Sequence, residues 1–411
     1  MKRGKKLTEN NLKLEEGLWS KKFIGILMAN LFVYISFYLL VPTLPAFAKQ
    51  IGGSGLQASL VVSGFSIASL VCRAITGHIT DKLDKKPIIM IGVLILGLCT
   101  ISYSMLNITG IIILRIIQGI GWGMASTGIA AVVSEIVPNS RRGEGMGYYS
   151  LSMIISMSLA PIVAIMIMNT YKFNVVIVSS IILLLVGIIF LKLVKVDDTN
   201  EKKSKFDNKK LIVISDLFEK KALLPSLLCF LLAITLCGIM SYIMLFGKEI
   251  NMPNIWIYFI GHVAMILLTR SFVGKLFDKK GHAIVIIPGA ISMIIGLLIL
   301  SYVTNVTTLM IASLFYGFGY GAVQPSLQAW AINRSPLERR GAANGTFLSS
   351  MDLSFTIGSI LLSFVAEVRS YAIMYRISTI FMVIFLVIYL LSLKKASNEN
   401  QIFEEEFEEV V

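Results

Sequence analysis

The amino-acid sequence predicts an all-α membrane protein in which twelve transmembrane helices form two six-helix bundles related by pseudo-two-fold symmetry. Three observations support this fold class. The 411 residues are 56% hydrophobic and only 15% charged, whereas soluble domains carry roughly 25% charged residues. Twelve apolar runs have about the 20 residues that cross a bilayer. The second half of the chain repeats patterns of the first, so six runs fall in each half.

The internal repeat is clearest after the second apolar run. An Arg, a Gly four residues on, an Asp four further on and then a Lys occur twice at identical spacing: Arg73, Gly77, Asp81 and Lys82, and again Arg270, Gly274, Asp278 and Lys279. Later landmarks keep almost the same offset. A period of about half the chain in an apolar sequence indicates two homologous bundles and excludes a solenoid of short units.

The apolar runs define the predicted organisation. They cover residues 22–47, 57–79, 87–106, 109–136, 144–169, 174–194, 223–247, 254–275, 283–303, 307–332, 342–366 and 371–393. We therefore predict an N-terminal lead (1–21), an N-terminal bundle (22–194), a central loop (195–222), a C-terminal bundle (223–393) and an acidic tail (394–411). The central loop has one amphipathic stretch, residues 211–218, and the glutamate-rich tail is expected to be disordered.

The distribution of basic residues predicts the orientation in the membrane. The net charge of +13 would favour nucleic acid as the partner of a soluble protein. Most of the 37 Lys and Arg residues, however, lie in the termini and the even-numbered loops. The positive-inside rule then places both termini and the central loop in the cytoplasm. We expect a multi-pass protein of the cell (plasma) membrane whose partner is the lipid bilayer, without nucleic acid.

Metal, cofactor and catalytic chemistry are not predicted. The four cysteines all fall inside apolar runs without the spacing of a metal or disulfide framework, and the three histidines are scattered. No nucleophile, base and orienting group can be placed together, so the sequence does not indicate an enzyme.

Polar side chains within the apolar runs are candidates for a substrate cavity. Asn30, Tyr34 and Tyr38 are spaced four apart and form one stripe on the first helix. Such residues face the bundle interior or a cavity rather than lipid. Further candidates lie in the fourth, seventh and tenth runs: Gln118, Ser241, Tyr242, Gln324 and Gln328. For Asn30, Tyr34 and Tyr38 the alternative is hydrogen bonding between helices together with an interfacial Tyr.

Two charged residues inside the runs are candidates for ion coupling. Arg115 lies about six residues into the fourth run, where a guanidinium costs about 2.5 kcal/mol or more, and its counterpart in the second half is Ser313. Asp352 lies about 15 Å along the eleventh helix, close to the bilayer midplane. We expect Asp352 to titrate and Arg115 to act as its counter-charge or as an anion contact. A purely structural role for Arg115 is the alternative.

Small residues and a proline predict helix packing and bending. Gly119 and Gly123 recur as Gly317 and Gly321, and glycines four apart let membrane helices approach closely. Pro161 removes one backbone hydrogen bond and is expected to kink the fifth helix.

These motifs resemble those of the major facilitator superfamily (MFS) over nearly the whole chain. The loop after the second run resembles the family signature through Gly77, Asp81, Lys82, Lys85 and Lys86, with Asp84 where Gly is usual. The eighth-run copy keeps Gly274, Asp278 and Lys279. The fourth run resembles the family's Arg-x-x-Gln-Gly pattern through Arg115, Gln118 and Gly119. The antiporter motif is matched only in part, because Ala160 precedes Pro161.

The resemblance, combined with helix electrostatics, predicts two conformational latches. In a two-bundle fold Asp81 would lie beside the start of the eleventh helix, which follows Arg339 and Arg340. A carboxylate near a helix N-terminus is stabilised by about 0.3–1 kcal/mol. The mirror latch would pair Asp278 with the fifth helix near Arg141 and Arg142. We expect these latches to close the cytoplasmic side.

The resemblance therefore implies a secondary transporter that works by alternating access. We expect proton-coupled export of a small amphipathic organic compound, such as a drug or metabolite, by a monomer. An uptake symporter for a sugar, amino acid or organic anion is the first alternative. A membrane sensor that transports nothing is the second.

Overall fold

The computed structural model describes residues 18–80, 84–138, 141–194, 219–336 and 339–408. Within these ranges it has twelve helices long and apolar enough to cross a membrane, which confirms the predicted all-α fold. The helices are α1 Lys21–Gln50, α2 Gly55–Thr80, α3 Lys85–Ser102, α4 Ile108–Ile136, α5 Arg142–Thr170, α6 Phe173–Leu193, α7 Leu223–Glu249, α8 Ile257–Lys280, α9 Ala283–Ser301, α10 Val306–Asn333, α11 Arg340–Val368 and α12 Tyr371–Glu408.

Equivalent helices of the two halves begin with the same cap. The side chain of Asn107 accepts a hydrogen bond from the backbone N–H of Gly110 at the start of α4. Asn305 does the same for Thr308 at the start of α10, and Thr308 completes a capping box. An asparagine here satisfies backbone donors that the first helical turn leaves free. Asn107 and Asn305, which occupy equivalent positions in the two halves, thus both mark the start of a helix.

Glycines bring α2 against α4 and α8 against α10. A methyl group on Gly119 would overlap the carbonyl oxygen of Phe65, and one on Gly317 would lie 2.6 Å from the carbonyl oxygen of His262. Gly123 and Gly321 abut the same partner helices about one turn later. Larger side chains here would push the helices apart, so these four glycines set the helix spacing in both halves. Pro161 lies inside α5, which runs on to Thr170.

Helices α1–α6 form the first half and α7–α12 the second. The halves meet mainly where α2 packs on α11, α1 on α7 and α5 on α8. We call the face with the start of α1 and the start of α11 the basic face, because most Lys and Arg residues lie there. The other end of the helices is the opposite face.

The halves are joined at the opposite face. The carboxylate of Glu367, at the end of α11, accepts a 2.6 Å hydrogen bond from the backbone N–H of Gly55, at the start of α2. The same carboxylate lies 3.4 Å from the ammonium of Lys49. Ser363 donates to the carbonyl of Gly55, at 2.7 Å. Asn169 of the first half donates to the carbonyl of Pro253 of the second, also at 2.7 Å.

Within the described part of the chain, the seam between the halves has free space at the basic face. Arg73 and Gly77 are four residues apart on one side of α2, and Asp352 and Gly345 are about two turns apart on one side of α11. These spacings place Gly77 and Gly345 toward the seam, and a methyl group on either would meet no atom of the described residues within 4 Å. The same holds for three further glycines near this end of α5, α8 and α11: Gly147, Gly274 and Gly341.

The C-terminal end differs from the sequence-based expectation. The tail was expected to be disordered, but α12 continues as one helix to Glu408. Residues 395–408 contain no Gly or Pro, and Glu, Gln and Ala all favour a helix, so nothing stops the helix where the apolar run ends. The central-loop segment 211–218 and the N-terminal lead up to residue 17 lie outside the described residues.

Candidate functional site

An ion pair joins the two halves inside the membrane. Nε of Arg73, on α2, lies 3.2 Å from Oδ2 of Asp352, on α11. The side chains are 26% and 22% exposed, so the pair is partly open to the central space. The two groups meet as an ion pair by distance without an aligned hydrogen bond between these two atoms. On an isolated membrane helix, either charge would lie far from water at a high cost in free energy. Each charge is therefore stabilised by its partner on the other half.

Aromatic side chains of α1 and α4 form one wall beside this pair. The ring of Trp122 lies 4.1 Å from that of Phe37 and 4.5 Å from that of Tyr34, centroid to centroid. Tyr38 packs edge-on against Phe37. Tyr34 is within electrostatic range of both Arg73 and Asp352. The wall therefore offers apolar ring faces close to a pair of charges.

The second half contributes an aromatic and a cation to the same region. Tyr320, on α10, lies within electrostatic range of Tyr38 across the seam and of Arg270 on α8. Nη2 of Arg270 approaches Oε1 of Gln324 at 3.4 Å. We call these residues together the central cluster: Tyr34, Tyr38, Arg73, Asp352, Arg270, Tyr320 and Gln324. Of the predicted cavity residues, it includes Tyr34, Tyr38 and Gln324.

Other predicted cavity residues are bonded within one half. Asn30 donates to Ser152 at 2.8 Å and links α1 to α5. Tyr242 is fully buried and donates to the carbonyl of Ser359 at 2.8 Å. Ser241 is also fully buried. Gln328 donates to Asn344 at 2.8 Å and links α10 to α11. The hydrogen bonds of Asn30, Tyr242 and Gln328 each join neighbouring helices.

Arg115 is held inside the first half rather than beside Asp352. Its Nε donates to the carbonyl of Val61 at 2.8 Å, and its Nη1 donates to Oε1 of Gln118 at 2.7 Å. The guanidinium also lies 4.3 Å over the ring of Phe65. Tyr103 donates to the same oxygen of Gln118. These contacts compensate a buried cation without a carboxylate. The cation that pairs with Asp352 is Arg73.

The predicted latches are only partly described. Asp81 and Lys82 lie outside the described residues, as do the side chains of Arg142 and Asp278.

The latch residues that are described make local contacts. Lys85 pairs with Glu135 at 2.5 Å, Arg141 with Glu144 at 2.7 Å and Arg339 with Glu219 at 2.5 Å. Lys86 donates to the carbonyl of Val194, and Lys279 and Arg340 are exposed. Each of these bonds lies within one half.

Residues 26–302 and 256–411 match the sequence profile described as Major Facilitator Superfamily, which accounts for nearly the whole chain. The chain belongs to the major facilitator superfamily. Its members are transporters and not enzymes, so the chain is a multi-pass membrane transporter that handles small molecules.

Two curated relatives and one solved structure illustrate the similarity of this MFS transporter to known proteins. An uncharacterized MFS-type transporter of Methanocaldococcus jannaschii is 25% identical over 354 residues, covering 84% of this chain and 91% of the relative. The staphylopine export protein of Staphylococcus aureus is 20% identical over 381 residues, covering 90% and 96%. The crystal structure of the nucleoside transporter NupG has a TM-score of 0.70 at 14% identity, covering 91% and 99%, and this likeness concerns the fold alone.

Two features of the transporter's site were not anticipated from sequence. Arg73 and Arg270 were noted as the start of the repeated motif, but their placement in the central cluster was not predicted. Glu367 was not among the candidate residues either, and it joins the halves at the opposite face. Both features depend on contacts between helices far apart in sequence. The spacing of Arg73 four residues before Gly77 would have placed it on the seam-facing side of α2.

Proposed function

We propose that this MFS transporter exports a small amphipathic organic compound in exchange for protons. The observation that carries the proposal is the ion pair between Arg73 and Asp352, which bridges the halves in the central cluster. An acid at this position can bind a proton only if its bond to the partner charge weakens. Binding and release of a proton are therefore linked to how the halves meet.

The coupling follows from the charges. In the conformation described here the halves are hydrogen-bonded at the opposite face, the described residues leave space beside Gly77 and Gly345 at the basic face, and Asp352 is paired. This arrangement fits the stage after a proton has left toward the cytoplasm. Protonation of Asp352 from the other side would neutralise one member of the pair and change the free-energy difference between the two conformations. Arg73 takes the counter-charge role first assigned to Arg115.

The walls of the cluster support an amphipathic substrate. Ring faces of Tyr34, Phe37 and Trp122 supply apolar contact, while few polar groups fix orientation, as in most small-molecule sites. The outward direction rests on the export activity named for the staphylococcal relative. We place both termini in the cytoplasm and the protein in the plasma membrane, and we propose a monomer because one chain supplies both halves of the cluster.

The test is growth and flux. Cells that express the transporter should survive a panel of toxic amphipathic compounds better than cells with the empty vector, and a proton uncoupler should remove the difference. Inverted vesicles with an acidic lumen should accumulate the protective compound, whereas right-side-out vesicles should not. Accumulation only in right-side-out vesicles would instead support uptake. Resistance that persists with the uncoupler would contradict proton coupling.

A further inference from the structure

The two arginines of the internal repeat have different surroundings. Arg73 and Arg270 occupy equivalent positions in α2 and α8. Arg73 is neutralised by Asp352. Among the described residues, no carboxylate lies within ion-pair distance of Arg270. Its Nη2 has only the neutral amide oxygen of Gln324 at 3.4 Å, and its buried Nε has no hydrogen-bond partner in the described part of the chain.

The sequence explains the missing acid. Residues 152–156, Ser-Met-Ile-Ile-Ser, align with residues 350–354, Ser-Met-Asp-Leu-Ser, in the same repeat. The position of Asp352 on α11 is thus occupied by Ile154 on α5. Because α5 packs on α8 as α11 packs on α2, Ile154 stands where an acid would have met Arg270. On its own helix, the next acid is Asp278, about 12 Å further along.

A half-buried guanidinium without a carboxylate is costly, and few proteins keep one inside a membrane without a use. Arg270 also belongs to the central cluster, where Tyr320 is within electrostatic range of Arg270 and of Tyr38. A bound carboxylate is well suited to a guanidinium, which presents several donors in a planar fork. The aromatic rings nearby would contact the apolar part of the same molecule.

We propose that Arg270 binds the anionic group of the transported compound, so that the substrate class is an amphipathic organic carboxylate. The anionic group of the substrate pairs with Arg270 in the way that Asp352 pairs with Arg73. This inference rests on the proposed function and narrows its substrate. Arg73 and Asp352 serve the proton, while Arg270 serves the substrate.

The test uses three probes that share one dansyl group. Dansylglycine is an anion, dansylglycinamide is neutral, and dansylethylenediamine is a cation at neutral pH. Binding to the purified full-length protein is measured by energy transfer from tryptophan to dansyl, since Trp122 lies in the wall of the cluster. We expect the wild type to bind dansylglycine at least about tenfold tighter than dansylglycinamide, as for one charge-assisted contact. The cation should bind weakest.

Variants assign the preference to Arg270. Arg270→Gln should bind both probes with similar affinity, whereas Arg270→Lys should keep most of the preference. Ile154→Asp supplies the missing acid and should also remove the preference, and Ile154→Asn is its uncharged control, which should keep it. The neutral probe reports whether each variant still folds a binding site, because its affinity should change little throughout.

Several results would overturn the inference: equal binding of the two probes by the wild type, no binding of dansylglycine, a preference for the cation, or a preference that survives in Arg270→Gln. The proposed function fails separately. If vesicles show no proton-driven flux but Arg270 still selects the anion, the substrate class stands and the export proposal falls. If the protein exports cationic compounds, export stands and the anion site falls.

Discussion

At the residue scale, charged groups in this transporter are compensated in three different ways. Arg73 has a carboxylate from the other half of the molecule. Arg115 has a backbone carbonyl, an amide and an aromatic ring from its own half. Arg270 has only a distant amide among the described residues. The first arrangement can respond to protonation, the second is fixed, and the third leaves room for a ligand.

Replacement of Asp352 tests the coupling. Asp352→Asn keeps the shape of the side chain but cannot release a proton, so uphill accumulation in inverted vesicles should fall by at least about tenfold. Exchange of labelled substrate without a proton gradient should persist. Asp352→Glu is the control and should retain part of the uphill flux. Undiminished uphill transport by Asp352→Asn, with an unaltered pH profile, would remove Asp352 from the mechanism.

Glu219 gives a pH-dependent contribution to stability at the basic face. The backbone N–H of Lys221, followed by the guanidinium of Arg339, holds the pKa of the Glu219 carboxyl below its ordinary value. A lowered folded-state pKa stabilises the protein above the ordinary glutamate pKa of about 4.3, and this stability is lost as the pH falls toward the lower folded value. Glu219→Gln should therefore lower Tm at neutral pH and reduce the loss of Tm on acidification.

Thermal unfolding of the purified protein across that pH range is the measurement. The matched control is Glu144→Gln, which removes an exposed pair with Arg141 on the same helix turn. Such a pair contributes little, so its Tm curve should follow that of the wild type. A Glu219→Gln curve parallel to the wild type would show that this carboxylate does not carry the pH dependence.

At the scale of elements, α2 and α11 form a seam with different contacts at its two ends. At the opposite face, Glu367 of α11 caps the first turn of α2. In the middle, Arg73 meets Asp352. At the basic face, the described residues leave space beside Gly77 and Gly345. The seam can close at the basic face only if the contact at the opposite face opens, because the helices are rigid over this length.

A bulky residue at the open end should prevent closure. Gly345→Leu places a side chain where the described conformation has space, so this conformation should bind substrate normally. The closed form of the basic face would be overpacked by about 1–3 kcal/mol, enough to reduce its population about 5- to 150-fold. Transport should fall with little change in probe binding. Normal transport by this variant would show that the two helices do not approach there.

Loss of the carboxylate at the opposite face should have the contrary effect. Glu367→Gln removes a charged cap from α2 and the pair with Lys49. The side chain is 41% exposed. The substitution should therefore destabilise the conformation that is open at the basic face by about 0.5–1 kcal/mol relative to the other conformation. Reagents added from outside should label a cysteine in the seam faster in this variant. Equal labelling rates would exclude Glu367 as a brace.

At the scale of the whole molecule, two halves that rock about the central cluster cannot close both ends at once. The described conformation joins the halves at the opposite face by Glu367, Ser363 and Asn169. The alternative conformation would join them at the basic face.

Cross-linking measures this exclusion. A cysteine pair at Lys49 and Glu367 should be joined by a short bifunctional reagent in the described conformation, and a pair at Gly77 and Gly345 should be joined only in the other. Either cross-link should stop transport, and the two should respond in opposite directions to substrate. The background needs Cys72, which is only half-buried, replaced by serine. Simultaneous cross-linking of both pairs in one molecule would contradict rocking.

The sequence by itself determined the fold class, because helix length and apolar composition are local properties that a bilayer selects directly. Twelve spans, their limits within a few residues, the family and the duplication followed from the printed residues. The tail is the exception: its net charge suggested disorder, yet helix propensity carries α12 on to Glu408.

The tertiary structure alone decided which charges meet. The sequence singled out Asp352 as the titrating acid and Arg115 as a counter-charge or an anion contact. The fold instead brings Arg73 to Asp352 and encloses Arg115 in its own half. Only the tertiary structure shows that one arginine of the repeat has an acid and that the other has none among the described residues. Partners in an ion pair are set by helix rotation and contact across the seam, and these depend on every packed side chain at once.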